Sequence, residues 1–199
     1  EEPPESIPKS AKEADVVACS VATFANLFFD FGSYHAVRKE KAFGSSFDPF
    51  SGQPDPLGYI PVAYTRSDKG PVSIGQIADL LLDGRKVVLT GDYGTGKSRC
   101  VREVYGEIAR RYEVGGAIPI AIDLRQTWGL STAEELVSRH LSLLGLGRLQ
   151  EKTLANLDKK VFVFLLDGFD ELGTQSWSDE SNALIQLRQK SLEGVRDLV

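Results

Sequence analysis

Lys97 and Ser98 close the run Gly91-Asp92-Tyr93-Gly94-Thr95-Gly96-Lys97-Ser98, and that spacing of glycines before a lysine and a hydroxyl is suited to phosphate chemistry. The glycines let the backbone curl so that successive N–H groups face phosphate oxygens, Lys97 can neutralise charge on β and γ phosphates, and the Ser98 hydroxyl is a ligand for Mg²⁺. Further along, the unbroken apolar run Val161 to Leu166 ends in Asp167-Gly168-Phe169-Asp170-Glu171. Asp167, at the end of that run, is placed to hold Mg²⁺ through water, while Asp170 and Glu171 are placed to polarise an attacking water. The two runs together imply binding of a nucleoside triphosphate with Mg²⁺, and its hydrolysis.

Such a loop has to lie between a strand and a helix. Lys86-Val87-Val88-Leu89-Thr90 reads as a short strand, and Val101, Val104 and Ile108 follow at helical spacing, predicting a helix over 97–113. The bound anion would then face that helix's N-terminus, where unpaired N–H groups and the dipole favour negative charge. Before the loop, Ile74, Ile77, Leu80 and Leu81 predict a helix capped by Ser73 and stopped by Gly84. After it come a strand at 117–124, an amphipathic helix at 132–144, a strand at 161–166 and a helical pattern at 181–199. The alternation predicts an α/β fold, a three-layer P-loop sandwich on a mainly parallel sheet, incomplete at the C-terminus. Right-handed crossovers would bring the loop and Asp167 to the carboxyl edge of adjacent strands.

The nucleotide is expected to be ATP. Asp170-Glu171-Leu172-Gly173 spells Asp-x-x-Gly, as in a GTPase, but the chain has no Asn-Lys-x-Asp run to read a guanine edge. The Ser-Ala-Lys at Ser10 to Lys12 precedes the loop and so stands in the wrong order.

The spelling Leu165-Leu166-Asp167-Gly168-Phe169-Asp170-Glu171-Leu172 resembles the Walker B motif of NACHT domains, in which a small residue follows the first Asp and an acidic pair follows one residue later. Ala117 to Arg125 is similar to the family's intermediate strand, Thr132 to Leu144 to the helix after it, and Gly58 to Val62 to the segment leading in. The resemblance spans residues 57–185. It implies one of the signal-transduction ATPases with numerous domains, in which a nucleotide-binding module lies between an N-terminal effector and a C-terminal sensor. There, exchange of ADP for ATP permits self-association, so the implied activity is a switch with slow hydrolysis, with defence as one output. By the resemblance, Gly91 to Arg99 would hold the nucleotide, Lys97 would contact its β and γ phosphates, Ser98 and Asp167 would serve Mg²⁺, Asp170 and Glu171 would support hydrolysis, and Tyr59 to Pro61 would approach the adenine. Two other readings compete: an AAA+-type remodelling ATPase, disfavoured by the Gly168-Phe169 insertion, and a scaffold in which ATP is bound but not turned over.

The remaining residues set limits. The 199 residues divide into 1–56, a linker with the possible tail of an upstream effector, and 57–199, the truncated nucleotide-binding domain, with Gly44 to Gly58 as the boundary loop. Glu1 to Pro8 reads as an acidic, proline-rich arm, and Ala14 to Phe31 as a helix or a strand and helix. The absence of Met and a last helical pattern with no stop signal predict a piece of a longer chain. A net charge of −5 leaves no nucleic-acid footprint. Arg99, Arg102, Arg110 and Arg111 are expected on a solvated helix face, with a place beside phosphate as the alternative for Arg99, one residue after Ser98. Cys19 and Cys100 are too scattered for a zinc site or a disulfide framework, with Cys100 expected under the helix after the loop. His35 and His140 are expected to be structural or exposed. Val16 to Phe29 is too short to span a bilayer, and no basic segment precedes it, so no membrane partner and a cytoplasmic location are expected.

Overall fold

The structure is a computed structural model that describes residues 29–41, 62–67, 70–112, 117–127, 129–159, 161–169 and 182–198. Within these, the chain is a mixed α/β protein. Helix α1 (Phe31–Glu40) is started by Asp30, whose carboxylate accepts the Ser33 N–H at 3.0 Å. A short antiparallel hairpin follows, β1 (Tyr64–Arg66) and β2 (Gly70–Val72). Helix α2 (Ile74–Leu82) has the cap expected of Ser73, completed by a return bond from the Gln76 side chain. It ends where Gly84 takes a φ of 74°, with Gly84 N–H bonded to Leu81 O and Arg85 N–H to Leu80 O.

Helix α3 (Lys97–Tyr112) starts at the lysine of the glycine-rich run and buries Cys100, Val104, Tyr105, Ile108 and Tyr112. Its other face carries Arg110 and Arg111 in the last turn, where positive charge complements the helix dipole. Strand β3 (Ile118–Asp123) leads through a 3₁₀ turn at Leu124–Gln126 to α4 (Ala133–Leu143), which is capped reciprocally by Thr132 and Glu135. A short helix, α5 (Gln150–Leu154), precedes β4 (Phe162–Asp167), and α6 (Asn182–Leu198) follows it. Among the described residues, no helix is long and apolar enough to cross a membrane.

Strands β3 and β4 pair in parallel, with Ile118 beside Phe162 and so on to Asp123 beside Asp167. Both are covered by side chains on nearly every position, as a parallel pair flanked by helices requires. The register has one consequence for chemistry: two aspartates end side by side at the carboxyl edge.

One expected element is not a strand. Residues 86–90 run without ladder bonds, and Val88 is 85% exposed. An apolar run specifies a tendency to bury, but a strand exists only when a neighbour supplies hydrogen bonds, and among the described residues no segment pairs with this one. Leu89 alone of its apolar residues packs against the core. The two-stranded parallel sheet therefore replaces the expected adjacency of the loop's strand to the Asp167 strand.

Helix α1 precedes the loop expected as a domain boundary and shares one hydrophobic core with described elements that follow that loop. Phe29 meets Phe162 of β4 edge to face at 5.7 Å, and Phe31 packs on Tyr112 of α3 at 4.4 Å. Tyr34 is fully buried, and its hydroxyl accepts the Ala121 N–H of β3 at 3.0 Å while lying 2.9 Å from His140 Nε2 on α4. His140 is thus a buried structural histidine.

The arm at 1–8, residues 14–28, the boundary loop, Tyr59 to Pro61, Asp170 and Glu171 lie outside the described residues.

Candidate phosphate and metal site

The glycine-rich run leaves the core at Leu89 and re-enters it with α3. Between them, Thr95 closes a turn onto Asp92, its N–H bonding the Asp92 carbonyl at 3.3 Å and its hydroxyl the same oxygen at 2.7 Å. That turn needs positive φ at Gly94 (79°), and the entry into the helix needs it at Gly96 (86°), where a side chain would be strained. Gly91 is small for a different reason: a Cβ there would lie 2.9 Å from the Thr95 hydroxyl oxygen, which the Asp92 bond pins in place.

Lys97 folds back over the run, donating from Nζ to the carbonyls of Gly91 at 2.9 Å and Asp92 at 3.1 Å. Its charge is thereby held against the loop rather than extended into solvent. Asp92 is exposed, and Tyr93 stands 98% exposed at the tip. Arg99 turns along the helix instead of into the loop, with Nε on Glu103 Oε1 at 2.8 Å.

Ser98, in the first turn of α3, donates its hydroxyl to Oδ1 of Asp167 at 2.9 Å. This single bond brings the two sequence motifs together. Asp167 is only 6% exposed, and its Oδ2 is buried with no hydrogen bond. Burial holds its carboxyl above the usual carboxylate range, and the neighbouring Asp123 adds to the rise, while the Ser98 hydroxyl and the Arg125 guanidinium act the other way.

Two residues of this site escape the sequence reading. Asp123 is the register partner of Asp167, and Arg125 grips it with a fork, Nε to Oδ1 and Nη2 to Oδ2, both at 2.8 Å. The same Nη2 lies 3.8 Å from Oδ2 of Asp167. The available signal was an aspartate ending each of two apolar strands, which parallel pairing in register makes neighbours.

Comparison with family models, with curated proteins and with solved structures finds no match.

A hydroxyl and a carboxylate already in contact, with one carboxylate oxygen buried and unbonded, are hard oxygen donors of the kind Mg²⁺ takes. Among the described residues, no group of three His, Cys, Asp or Glu side chains could hold a metal by itself. Mg²⁺ keeps several waters and is commonly held by one or two carboxylates together with substrate phosphates, which suits a site this sparse. Of the sequence-predicted residues, the structure brings Lys97, Ser98 and Asp167 to one end of α3 and β4. It leaves Arg99 directed at Glu103.

Proposed function

We propose that this chain carries the nucleotide-binding part of a NACHT-type signalling ATPase, a switch that binds ATP or ADP with Mg²⁺ and hydrolyses ATP slowly. The observation that carries the reading is the Ser98 to Asp167 hydrogen bond, which ties a Gly-x-x-x-x-Gly-Lys-Ser run to a carboxylate at a parallel strand's end. In this reading the loop amides and Lys97 bind phosphate, and Ser98 with Asp167 holds Mg²⁺, which when bound would offset charge developing on the transferred phosphate. Ser98 passes its hydroxyl from Asp167 to the ligand. Lys97 exchanges carbonyl partners for phosphate oxygens. Asp170 and Glu171 would polarise the attacking water, one of the two carboxylates accepting its proton.

The finer fold belongs to the same proposal. A three-layer P-loop sandwich would set further strands beside residues 86–90 and beside the β3–β4 pair, giving the exposed Val88 a covered face. Self-association, an N-terminal effector and a C-terminal sensor follow from the resemblance.

The test is titration of the chain with a fluorescent ATP analogue, with Mg²⁺ and with EDTA. Mg²⁺-dependent binding that excess ATP displaces and GTP displaces poorly is the expected result. No binding in either buffer would overturn the reading. For hydrolysis, Asp170→Ala with Glu171→Ala should keep binding and abolish turnover.

A further inference from the structure

Parallel neighbours lie about 4.8 Å apart, so carboxylates ending two such strands in register repel one another unless a cation lies between them. Asp123 and Asp167 are such a pair. The cation is Arg125, whose position is over-determined. Its backbone N–H bonds Asp123 Oδ1 at 3.1 Å, and its fork takes both Asp123 oxygens. Its aliphatic stem passes over Gly168, where a Cβ would lie 3.1 Å from Arg125 Cγ. Gly168 also has a φ of 80°, so the backbone after Asp167 is bent to admit the stem.

The fork is spent on Asp123. Toward Asp167 the guanidinium offers charge at 3.8 Å and no hydrogen bond, and Oδ2 stays buried and unbonded. A divalent ion bridging the two carboxylates would need much the same space. We propose that Arg125 is a positioning residue that stands in for a divalent cation between Asp123 and Asp167, so that Mg²⁺ enters beside Ser98 only together with a nucleotide's phosphates. This rests on the reading of Asp167 as the carboxylate on the metal side. Removing the guanidinium leaves the buried Asp167 carboxylate beside the half-buried Asp123 carboxylate, and free Mg²⁺ then becomes their counter-ion. Arginine suits the role because its planar fork binds one carboxylate in a fixed geometry while its charge reaches the second.

The experiment is thermal unfolding of the 199-residue chain in a MgCl₂ series without nucleotide, for the parent, Arg125→Lys, Arg125→Gln and the double variant Arg125→Gln with Asp123→Asn. The parent and Arg125→Lys should not respond to Mg²⁺. Arg125→Gln should gain about 3–6 °C in Tm at a tenfold excess of Mg²⁺ over its Kd, and the double variant should lose the gain. If Arg125→Gln does not fold in EDTA, recovery of its folding on refolding with MgCl₂ is the supporting result. An Arg125→Gln protein indifferent to Mg²⁺, folded or not, overturns the inference, as does a parent that responds equally. Titration of the parent with the fluorescent ATP analogue separates the two failures. A parent that binds nucleotide with Mg²⁺ beside an unresponsive Arg125→Gln sinks the inference alone, whereas a parent that binds none sinks the nucleotide reading whatever Arg125→Gln does.

Discussion

The Ser98 hydroxyl donates to Oδ1 of Asp167 across 2.9 Å, joining the first turn of α3 to the last residue of β4. Ser98→Ala removes the donor from a buried carboxylate and should cost about 1–3 kcal/mol of stability, read from urea denaturation. Ser98→Thr keeps the hydroxyl and should restore it. The Mg²⁺-dependent part of nucleotide affinity should fall with Ser98→Ala, while binding in EDTA changes little. An equal loss in both buffers would mean that the hydroxyl serves only the fold.

Lys97 bonds loop carbonyls and stands at the helix entrance, so its removal leaves the core cluster untouched. Lys97→Ala should retain its unfolding transition and lose affinity for the ATP analogue by on the order of tenfold or more, the loss expected when a charge-assisted phosphate contact is deleted. Unchanged affinity would remove the lysine from the phosphate site.

At Gly168, two penalties coincide: a left-handed φ and the Arg125 stem where a Cβ would go. Gly168→Ala should destabilise the chain by about 1–2 kcal/mol from backbone strain alone. Its urea midpoint against the parent's is the measurement. A neutral result would show that this bend relaxes freely.

The buried His140 carries a pH signature. Burial, then the charge of Arg38, pushes its pKa from 6.5 down to about 3, so the folded chain keeps the ring neutral where the unfolded chain protonates it. Between those values the unfolded state binds more protons, so stability falls as pH is lowered from 6.5 towards 3 and is regained as pH rises. For this one proton the slope approaches about 1.4 kcal/mol per pH unit inside the window. His140→Gln, which can still meet the Tyr34 hydroxyl, should flatten that part of the profile. Urea midpoints across pH 4–7 for both chains give the difference, and parallel profiles would mean that His140 does not set it.

How far the sequence could be read depended on the range of the interaction involved. The cap at Ser73, the stop at Gly84 and the start of α3 at Lys97 are set by neighbours a few residues away, and all three emerge as expected. Strands β3 and β4 were legible because their apolar runs are continuous. Lys86 to Thr90 carries a similar run and forms no ladder, because pairing is decided by a partner elsewhere. In the same way, Ser98 and Asp167 were legible from motif spelling, whereas Asp123 and Arg125 became part of the site only through strand register. Tyr34 was illegible for a related reason: nothing local marks a tyrosine whose hydrogen-bond partner is the backbone of a strand far along the chain.

The N–H of Ile118 points to β4, bonding Val161 O, so alternation turns Pro119 and Ala121 to the opposite margin of β3. Proline has no N–H to offer there, and the Ala121 N–H is taken by the Tyr34 hydroxyl. One ring and one phenol oxygen therefore close a margin that would otherwise template intermolecular strand addition. A chain cut to begin at residue 57 would keep Pro119 but lose Tyr34, the half of this guard that covers the Ala121 N–H. Its hazard would be self-templated aggregation through β3, independent of any nucleotide.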